Sequence, residues 1–338
     1  MPAQPKVSVV IPVWNGREHL GMVLGSLRGQ TTDDFDVTVV DNGSTDGTLT
    51  YLRDEWPEVR ALPLPENLGY AGGAVRGVEA TAGEHVAFLN DDMELEPEWI
   101  ERLTEELDRD PALGVVTSKV MFHDDRSLIY QAGYEFYTYG WCATRGVHET
   151  DRGQYDRRLP TVGGTGAGSI YRRAALERAG GFDGDYFMYC EEVDLGLRVL
   201  MAGYGGLYIP SPLAFHVAGA KTSRTPELPR RLLYRNQLIT LVKDVPWSIL
   251  WRALPKALLY LHHQYSAERR NGSPGVALGA YAEFLRMLPA TLRKRRGVMR
   301  RRAIPVDELR AMMRADYPFP TRFRRLAAGR ASSGPGAA

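Results

Sequence analysis

Cysteine is nearly absent from the chain. Its 338 residues hold two, Cys142 and Cys190, with no CxxC pair and no Cys/His zinc spacing. That excludes a disulfide scaffold and a structural zinc site, and it fits a reducing compartment. Long apolar runs are missing too. The nearest, Val245–Leu261, is broken by Arg252 and Lys256 and falls short of the ~20 residues a membrane span needs. The opening Met1-Pro2-Ala3-Gln4-Pro5-Lys6 lacks the basic start and cleavage site of a signal peptide. The expectation is a cytoplasmic protein that can touch the inner face of the membrane but not cross it. No GxxxxGK[ST], GxSxG, HExxH or kinase motif set occurs, and no internal repeat. What remains, at 44% hydrophobic and 25% charged residues, is neither disordered nor fibrous. The length suits about two domains.

Charge is balanced only in the sum. The formal net charge is +1, yet residues 221–338 hold 24 Lys+Arg against 7 Asp+Glu, and residues 1–220 hold 18 against 34. A basic tail on an acidic body suits a phosphate-rich surface such as anionic lipid. Aromatic and leucine-rich stretches over 228–262, with Trp247 and Trp251, precede the runs Arg293-Lys294-Arg295-Arg296 and Arg300-Arg301-Arg302. That combination describes an interfacial helix or, equally, a helical cap on the rest of the chain. Nucleic acid is not expected as a partner, because no recognition fold accompanies the charge.

Val7–Pro12 is β-branched and apolar, as a buried parallel strand is. A helix over His19–Arg28 follows, with Leu20, Val23, Leu24 and Leu27 on one face. The alternation continues with a strand at Phe35–Val40, a helix at Thr48–Glu55 and a weaker strand at Ala61–Leu64. A glycine-rich helix at Tyr70–Thr81, a short strand at Val86–Leu89 and a helix opened by Pro97 complete it. Strands alternating with helices imply crossover connections and an open α/β sheet. In such sheets ligands bind beyond the carboxyl ends of the strands. Residues 1–222 are expected to form this domain and 223–325 a basic helical region. The last residues, 326–338, read as a disordered tail.

Four polar clusters could carry chemistry. Asp41-Asn42-Gly43-Ser44-Thr45-Asp46 follows a strand, and its carboxylates can accept hydrogen bonds from a nucleobase or ribose, or cap a helix. Asn90-Asp91-Asp92 follows another strand and offers oxygen ligands for Mg²⁺ or Mn²⁺ on a diphosphate. Glu191, Glu192 and Asp194 open a helix after Tyr186-Phe187-Met188-Tyr189. Crowded like charges beside apolar rings raise a carboxyl pKa, which suits a general base. The helix dipole explains the same residues without chemistry. His216 follows an apolar stretch and could complete a metal site with Asp92. A glycine cluster, Gly163–Gly168, allows close backbone approach to a ligand or forms a simple turn.

The order of these segments is more specific than any one of them. Val9–Asn15, Asp41–Gly47, Asn67–Gly73, Phe88–Asp92, Gly180–Asp183 and Tyr186–Leu195 together resemble the family 2 inverting glycosyltransferases of the GT-A fold. Within them the bacterial rhamnosyltransferase-like branch is the nearest likeness. The resemblance spans about residues 7–245. It implies an open, mostly parallel sheet flanked by helices, and a sugar moved from a nucleotide diphosphate to an acceptor hydroxyl with inversion. By this resemblance Asp41 binds the base, Pro12, Val13 and Asn15 line the nucleotide pocket, and Asn67 and Gly69 flank the ribose. Asn90 and Asp91 continue the donor site, and Asp92 with His216 holds Mg²⁺ or Mn²⁺. Asn90 stands where many members carry an aspartate, and it brings no charge. Glu192 matches the likely base, one methylene longer than the usual Asp, with Glu191 and Asp194 as alternatives. Gly166, Arg235 and Asn236 fall on the acceptor side, the last two alternatively at an interdomain contact. The implied donor is a dTDP-, UDP- or GDP-linked sugar, with rhamnose first and galactofuranose or a hexose next. The implied acceptor is a glycan or polyprenyl-linked saccharide, reached from an anionic membrane surface. Nucleotidyl transfer and a non-catalytic nucleotide-sugar-binding scaffold are the competing readings.

Overall fold

The computed structural model describes residues 4–164, 166–217 and 227–313. The tail expected at 326–338 lies outside them. In chain order the elements begin β1 (Val7–Val13), α1 (Arg17–Arg28), β2 (Phe35–Asp41), α2 (Thr48–Glu55), β3 (Arg60–Pro63), α3 (Gly69–Glu79) and β4 (His85–Leu89). Next come β5 (Met93–Leu95), α4 (Trp99–Arg109), β6 (Leu113–Phe122), β7 (Ile129–Gln131), β8 (Tyr134–Phe136), β9 (Cys142–Thr144), β10 (Leu159–Pro160) and β11 (Ala167–Arg172). The chain continues through α5 (Arg173–Ala179), a 3₁₀ turn (Gly184–Tyr186), α6 (Glu191–Met201), β12 (Gly205–His216), α7 (Glu227–Asp244), α8 (Trp247–Arg270), α9 (Pro274–Arg301) and α10 (Val306–Met312).

The main sheet runs β10-β12-β6-β11-β4-β1-β2-β3. β1 pairs in parallel with β2 and β4, β3 with β2, and β12 with β6. Every residue of β1 and β4 is buried, because helices cover both faces. The covering helices are amphipathic: α1 buries Leu20, Val23, Leu24 and Leu27, and α4 buries Trp99, Ile100, Leu103 and Leu107. Pro97 does not open α4, as the sequence had suggested. The helix starts at Trp99, and the Pro97 carbonyl accepts from Thr31 N–H at 2.9 Å.

Two antiparallel strands deliver the site. β11 runs against both β4 and β6, with Ala167 opposite Leu89. The glycine loop before β11 therefore arrives at the carboxyl end of β4. β5 runs against the end of β12, with Met93 opposite His216. A residue 124 positions downstream is thereby set beside Asp92.

The basic helices are anchored to the acidic body. α6, the β8–β9 hairpin and α7–α9 share an apolar core that includes Phe136, Leu197, Leu241, Val245, Ile249 and Val298. Lys243 pairs with Asp183 at 2.6 Å and Asp194 at 2.5 Å. Lys294 pairs with Asp183 and Asp185 at 2.5 and 2.6 Å. Arg295 is buried, donates to the Val242 and Val245 carbonyls, and lies over the Trp247 ring at 4.1 Å. The run at 293–296 is thus partly internal rather than a uniform surface charge.

Candidate active site

The carboxyl ends of β1 and β2 form one wall. Asp41, the last residue of β2, is buried. Its Oδ2 accepts from Ser44 N–H at 3.3 Å, and its Oδ1 has no hydrogen-bond partner. Pro12 and Val13 are buried in β1 beside it, in register with Val40 and Asp41. Asn15, at φ +51°, latches the Ser44–Thr45 turn: its N–H donates to Ser44 Oγ and its Oδ1 accepts from Thr45 N–H, both at 2.8 Å. Asn67 Oδ1 accepts from Gly69 N–H at 2.8 Å at the head of α3. Gly69 has φ +71°, and a Cβ there would sit 2.2 Å from the Phe187 carbonyl oxygen. Only glycine lets α3 meet the turn before α6 so closely.

The end of β4 forms the floor. Asp92 Oδ1 lies 3.0 Å from His216 Nε2, and Asn90 Nδ2 lies 3.2 Å from the same nitrogen. The Tyr130 ring stands edge-on to His216, with centroids 4.4 Å apart. His216 Nδ1 is buried without a partner. Asp91 turns away, toward the start of α1, where a Cβ on Gly16 would come within 2.0 Å of its Oδ2. The Asp92 carboxylate is a donor suited to Mn²⁺ or Mg²⁺, and the His216 imidazole nitrogen 3.0 Å from it could add a second ligand, whereas Asn90 turns its amide nitrogen, which is no ligand, toward His216.

The opposite wall is the first turn of α6. Glu192 Oε1 accepts from Gly166 N–H at 2.8 Å. A Cβ on Gly166 would lie 2.5 Å from that oxygen, 3.1 Å from Tyr70 Oη and 3.2 Å from Asn90 Oδ1. Gly166 is therefore the wall shared by the Glu192 carboxylate and the floor. Burial pushes the Glu192 carboxyl above its ordinary range, against the backbone hydrogen bonds that lower it. Burial and the charge of Glu192 push buried Glu191 well above its range, and Glu191 Oε2 has no partner. Burial, with the charges of both glutamates, raises the Tyr189 hydroxyl to about 12.

Asp194 does not share this wall, contrary to expectation. It is fully buried and points the other way, to Arg198 at 2.5 Å, Lys243 at 2.5 Å and Tyr186 Oη at 3.1 Å. Burial acts to raise its carboxyl, but the two cations hold it well below the usual range. It is a structural charge rather than a base. Arg235 and Asn236 also lie behind the turn rather than on an open acceptor face. The two N–H groups of the buried Asn236 amide are shared among the carbonyls of Tyr186, Met188 and Tyr189, which lie 3.0, 2.8 and 2.7 Å from its nitrogen. Arg235 donates to the Tyr186 carbonyl at 2.8 Å. The turn they hold contains Phe187, Tyr189 and Cys190 at φ 63°, 72° and 66°, a region L-residues adopt at a cost. Through these bonds α7 holds the turn before α6.

Tyr70 and Tyr130 also line this site. Tyr70 lies inside the Asn67–Gly73 segment, and its hydroxyl is buried near Glu192 without a hydrogen-bond partner. Tyr130 carries no local signal, since only the β6–β7 pairing brings it to His216. The two cysteines, distant in sequence, meet at Sγ–Sγ 3.9 Å beneath this turn as free thiols. A separate group of possible ligands, Glu84, His85 and Asp108, sits at the start of β4, the wrong end of the strand. Lys6 already pairs with Asp108 there at 2.6 Å.

Residues 8–180 match the model of glycosyl transferase family 2. The chain belongs to that family. Among similar curated proteins, the N-acetylglucosaminyl-diphospho-decaprenol L-rhamnosyltransferase of Mycobacterium tuberculosis is 31% identical over 243 residues, covering 64% of this chain and 78% of its own. The O-antigen biosynthesis protein RfbC of Myxococcus xanthus is 29% identical over 208 residues, which is 59% of this chain and 16% of that much longer one. Among solved structures, the mannosyltransferase PcManGT of Pyrobaculum calidifontis, in complex with GDP-Man and Mn²⁺, superposes with a TM-score of 0.53 at 18% identity, covering 89% of this chain and 86% of that one. GalNAc-T7 with UDP, GalNAc and Mn²⁺ gives 0.57 at 16%, covering 73% and 49%. The glycosyltransferase thus has the GT-A fold, and these structural neighbours carry Mn²⁺ and nucleotide or nucleotide sugar.

Proposed function

We propose that this glycosyltransferase moves a deoxyhexose, L-rhamnose first, from a nucleotide diphosphate to a hydroxyl of a lipid-diphosphate-linked saccharide, with inversion. The reading is carried by one observation: the Glu192 carboxylate, raised by burial, shares the Gly166 wall with Asn90, next to the Asp92–His216 pair. The mycobacterial relative, whose acceptor is a diphospho-decaprenol saccharide by name, supports the choice of sugar and acceptor.

Asp41, whose buried Oδ1 has no partner, would accept from the nucleobase, and the Asn15-latched turn would shape that pocket. Asp92 and His216 would hold Mg²⁺ or Mn²⁺, which offsets the charge that builds on a departing diphosphate. The acceptor oxygen attacks the anomeric carbon from the face opposite the diphosphate. The bond from that carbon to the phosphate oxygen breaks, and its electron pair leaves with the nucleotide. Glu192 takes the hydroxyl proton as attack proceeds. The acceptor hydroxyl is a poor nucleophile at neutral pH, so a base positioned in advance is needed. A base with a raised pKa is better matched to neutral pH than an ordinary glutamate.

The test pairs binding with turnover. Glu192→Gln is expected to keep the thermal stabilisation that dTDP-rhamnose with Mn²⁺ gives the wild type, and to lose transfer by about 10²–10⁴-fold. Near-wild-type transfer would remove Glu192 as the base. Absence of stabilisation by dTDP-rhamnose, with a shift from a UDP- or GDP-sugar, would replace the donor.

A further inference from the structure

Ten of the twelve large hydrophobic side chains that stand exposed among the described residues lie in the C-terminal helices, so the apolar surface is concentrated on one region. Along α8, Trp247, Trp251, Leu254 and Leu258 recur at intervals of three and four and form one stripe. Trp251 is 66% exposed and Leu258 56%. The two tryptophan rings stack at 6.0 Å. Along α9, Leu278, Leu285 and Leu292 recur every seven residues and form a second exposed stripe. The helices meet where Arg295 of α9 lies over Trp247. An apolar groove of about 250 Å³ opens along the α8 stripe, lined by Leu241, Trp247, Leu250, Trp251, Leu254 and Phe284.

The charge around these stripes has one sign. Residues 245–306 contain twelve Lys and Arg but only two acids, Glu268 and Glu283. Neither acid is exposed: Glu268 is buried against Arg230 and Tyr234, and Glu283 pairs with Arg231. Lys294 and Arg295 are tied into the body, as described above. Arg252 on α8, and Arg286, Arg293, Arg296 and Arg300 on α9, are exposed. No helix among the described residues is long and apolar enough to cross a membrane.

We infer that the exposed faces of α8 and α9 form a seat for an anionic lipid bilayer, with the Trp247/Trp251/Leu254/Leu258 stripe entering the headgroup boundary and the flanking arginines on lipid phosphates. Apolar side chains with tryptophan beside clustered arginine, without an exposed acid on α8 or α9, match such a surface in both hydrophobicity and charge. A second copy of the chain would meet the same positive charge, which opposes self-association through this face. The inference deepens the proposed function, because an enzyme whose acceptor is anchored in lipid gains from sitting on the bilayer.

The experiment is flotation of the full chain with vesicles of phosphatidylcholine alone and with phosphatidylglycerol added. The expected result is binding to the anionic vesicles, weak binding to the neutral ones, and release by salt. Trp251→Glu with Leu258→Glu, both at exposed positions, is expected to lower binding at least about tenfold with an unchanged melting temperature. Arg293→Glu with Arg296→Glu should erase the preference for anionic vesicles, at about fivefold per basic residue lost. No binding by the wild type, or wild-type binding by Trp251→Glu/Leu258→Glu, would overturn the seat. So would a dimer that Trp251→Glu dissociates. Transfer to a short-chain, detergent-free acceptor reports on the proposed function separately, and the tryptophan–leucine variant is expected to keep it.

Discussion

Gly166 N–H donates to Glu192 Oε1 at 2.8 Å, and the same glycine leaves no room for a side chain beside that oxygen. The bond fixes one carboxylate oxygen. Gly166→Ala places a Cβ 2.5 Å from Oε1 in the present geometry, so the carboxylate must turn. Transfer is expected to fall by about 10–100-fold, since small misplacements of a base are costly. Donor-induced thermal stabilisation should persist. Loss of both in parallel would mean that Gly166 supports the donor site rather than the base.

The raised carboxyl of Glu192 sets a pH dependence. A base works deprotonated, so kcat/KM should fall as pH drops through a pKa above the ordinary glutamate value. Replacing Glu192 by Gln should remove that acid limb from the residual rate. A limb that persists unchanged in Glu192→Gln belongs to another group.

Glu191 makes the complementary case for stability. Its carboxyl holds a proton to higher pH in the folded chain than in the unfolded one, because burial and Glu192 disfavour its charge. Its contribution is fully present below the unfolded value and is lost as pH rises through the folded value. Glu191→Gln should therefore melt higher than wild type at pH 8, by about 2–4 °C for each kcal/mol released. The gain should shrink toward pH 4. A lower melting point at pH 8 would show that ionised Glu191 has a stabilising partner.

At the floor, His216 Nε2 faces both Asp92 and Asn90. Asp92→Asn and His216→Ala should each weaken Mn²⁺-dependent donor binding by about 10–100-fold, measured calorimetrically with metal titrated in. Donor affinity without metal should change little. The same metal titration after Asp108→Asn, at the far end of β4, should match wild type. A loss there instead would move the cation to the Glu84–His85–Asp108 group.

Behind the turn before α6, the two amide N–H groups of Asn236 are shared among three carbonyls of a segment with three residues in the left-handed region. Asn236→Ala removes the side-chain donor from the Met188 and Tyr189 carbonyls, while the Tyr186 carbonyl keeps Arg235, and should cost about 1–3 kcal/mol. As a positioning residue, it should also lower kcat with little change in donor KM. An equal drop in activity and in folded fraction, with kcat per folded molecule unchanged, would leave it only a structural role.

The sequence by itself determined the alternating elements from β1 to β4 and the helix α4. β1 and β4 read as buried strands because they are covered on both faces, and α1 and α4 show their core faces at helical spacing. Asp41, Asp92 and Glu192 stand out in the sequence because each is a polar residue just after an apolar or aromatic run: Asp41 ends β2, Asp92 lies in the turn between β4 and β5, and Glu192 lies in the first turn of α6. Other features depended on pairings between distant segments. His216 reaches Asp92 only because β12 runs against β5, and Gly166 reaches Glu192 only because β11 runs against β4. Asp194, on the same turn as Glu192, faces Arg198 and Lys243, since successive helical positions point 100° apart and burial demands paired charge. The tertiary structure likewise divided the basic helices. Composition gives their charge, but only packing decides that Lys243, Lys294 and Arg295 bind the body while Arg293 and Arg296 face outward.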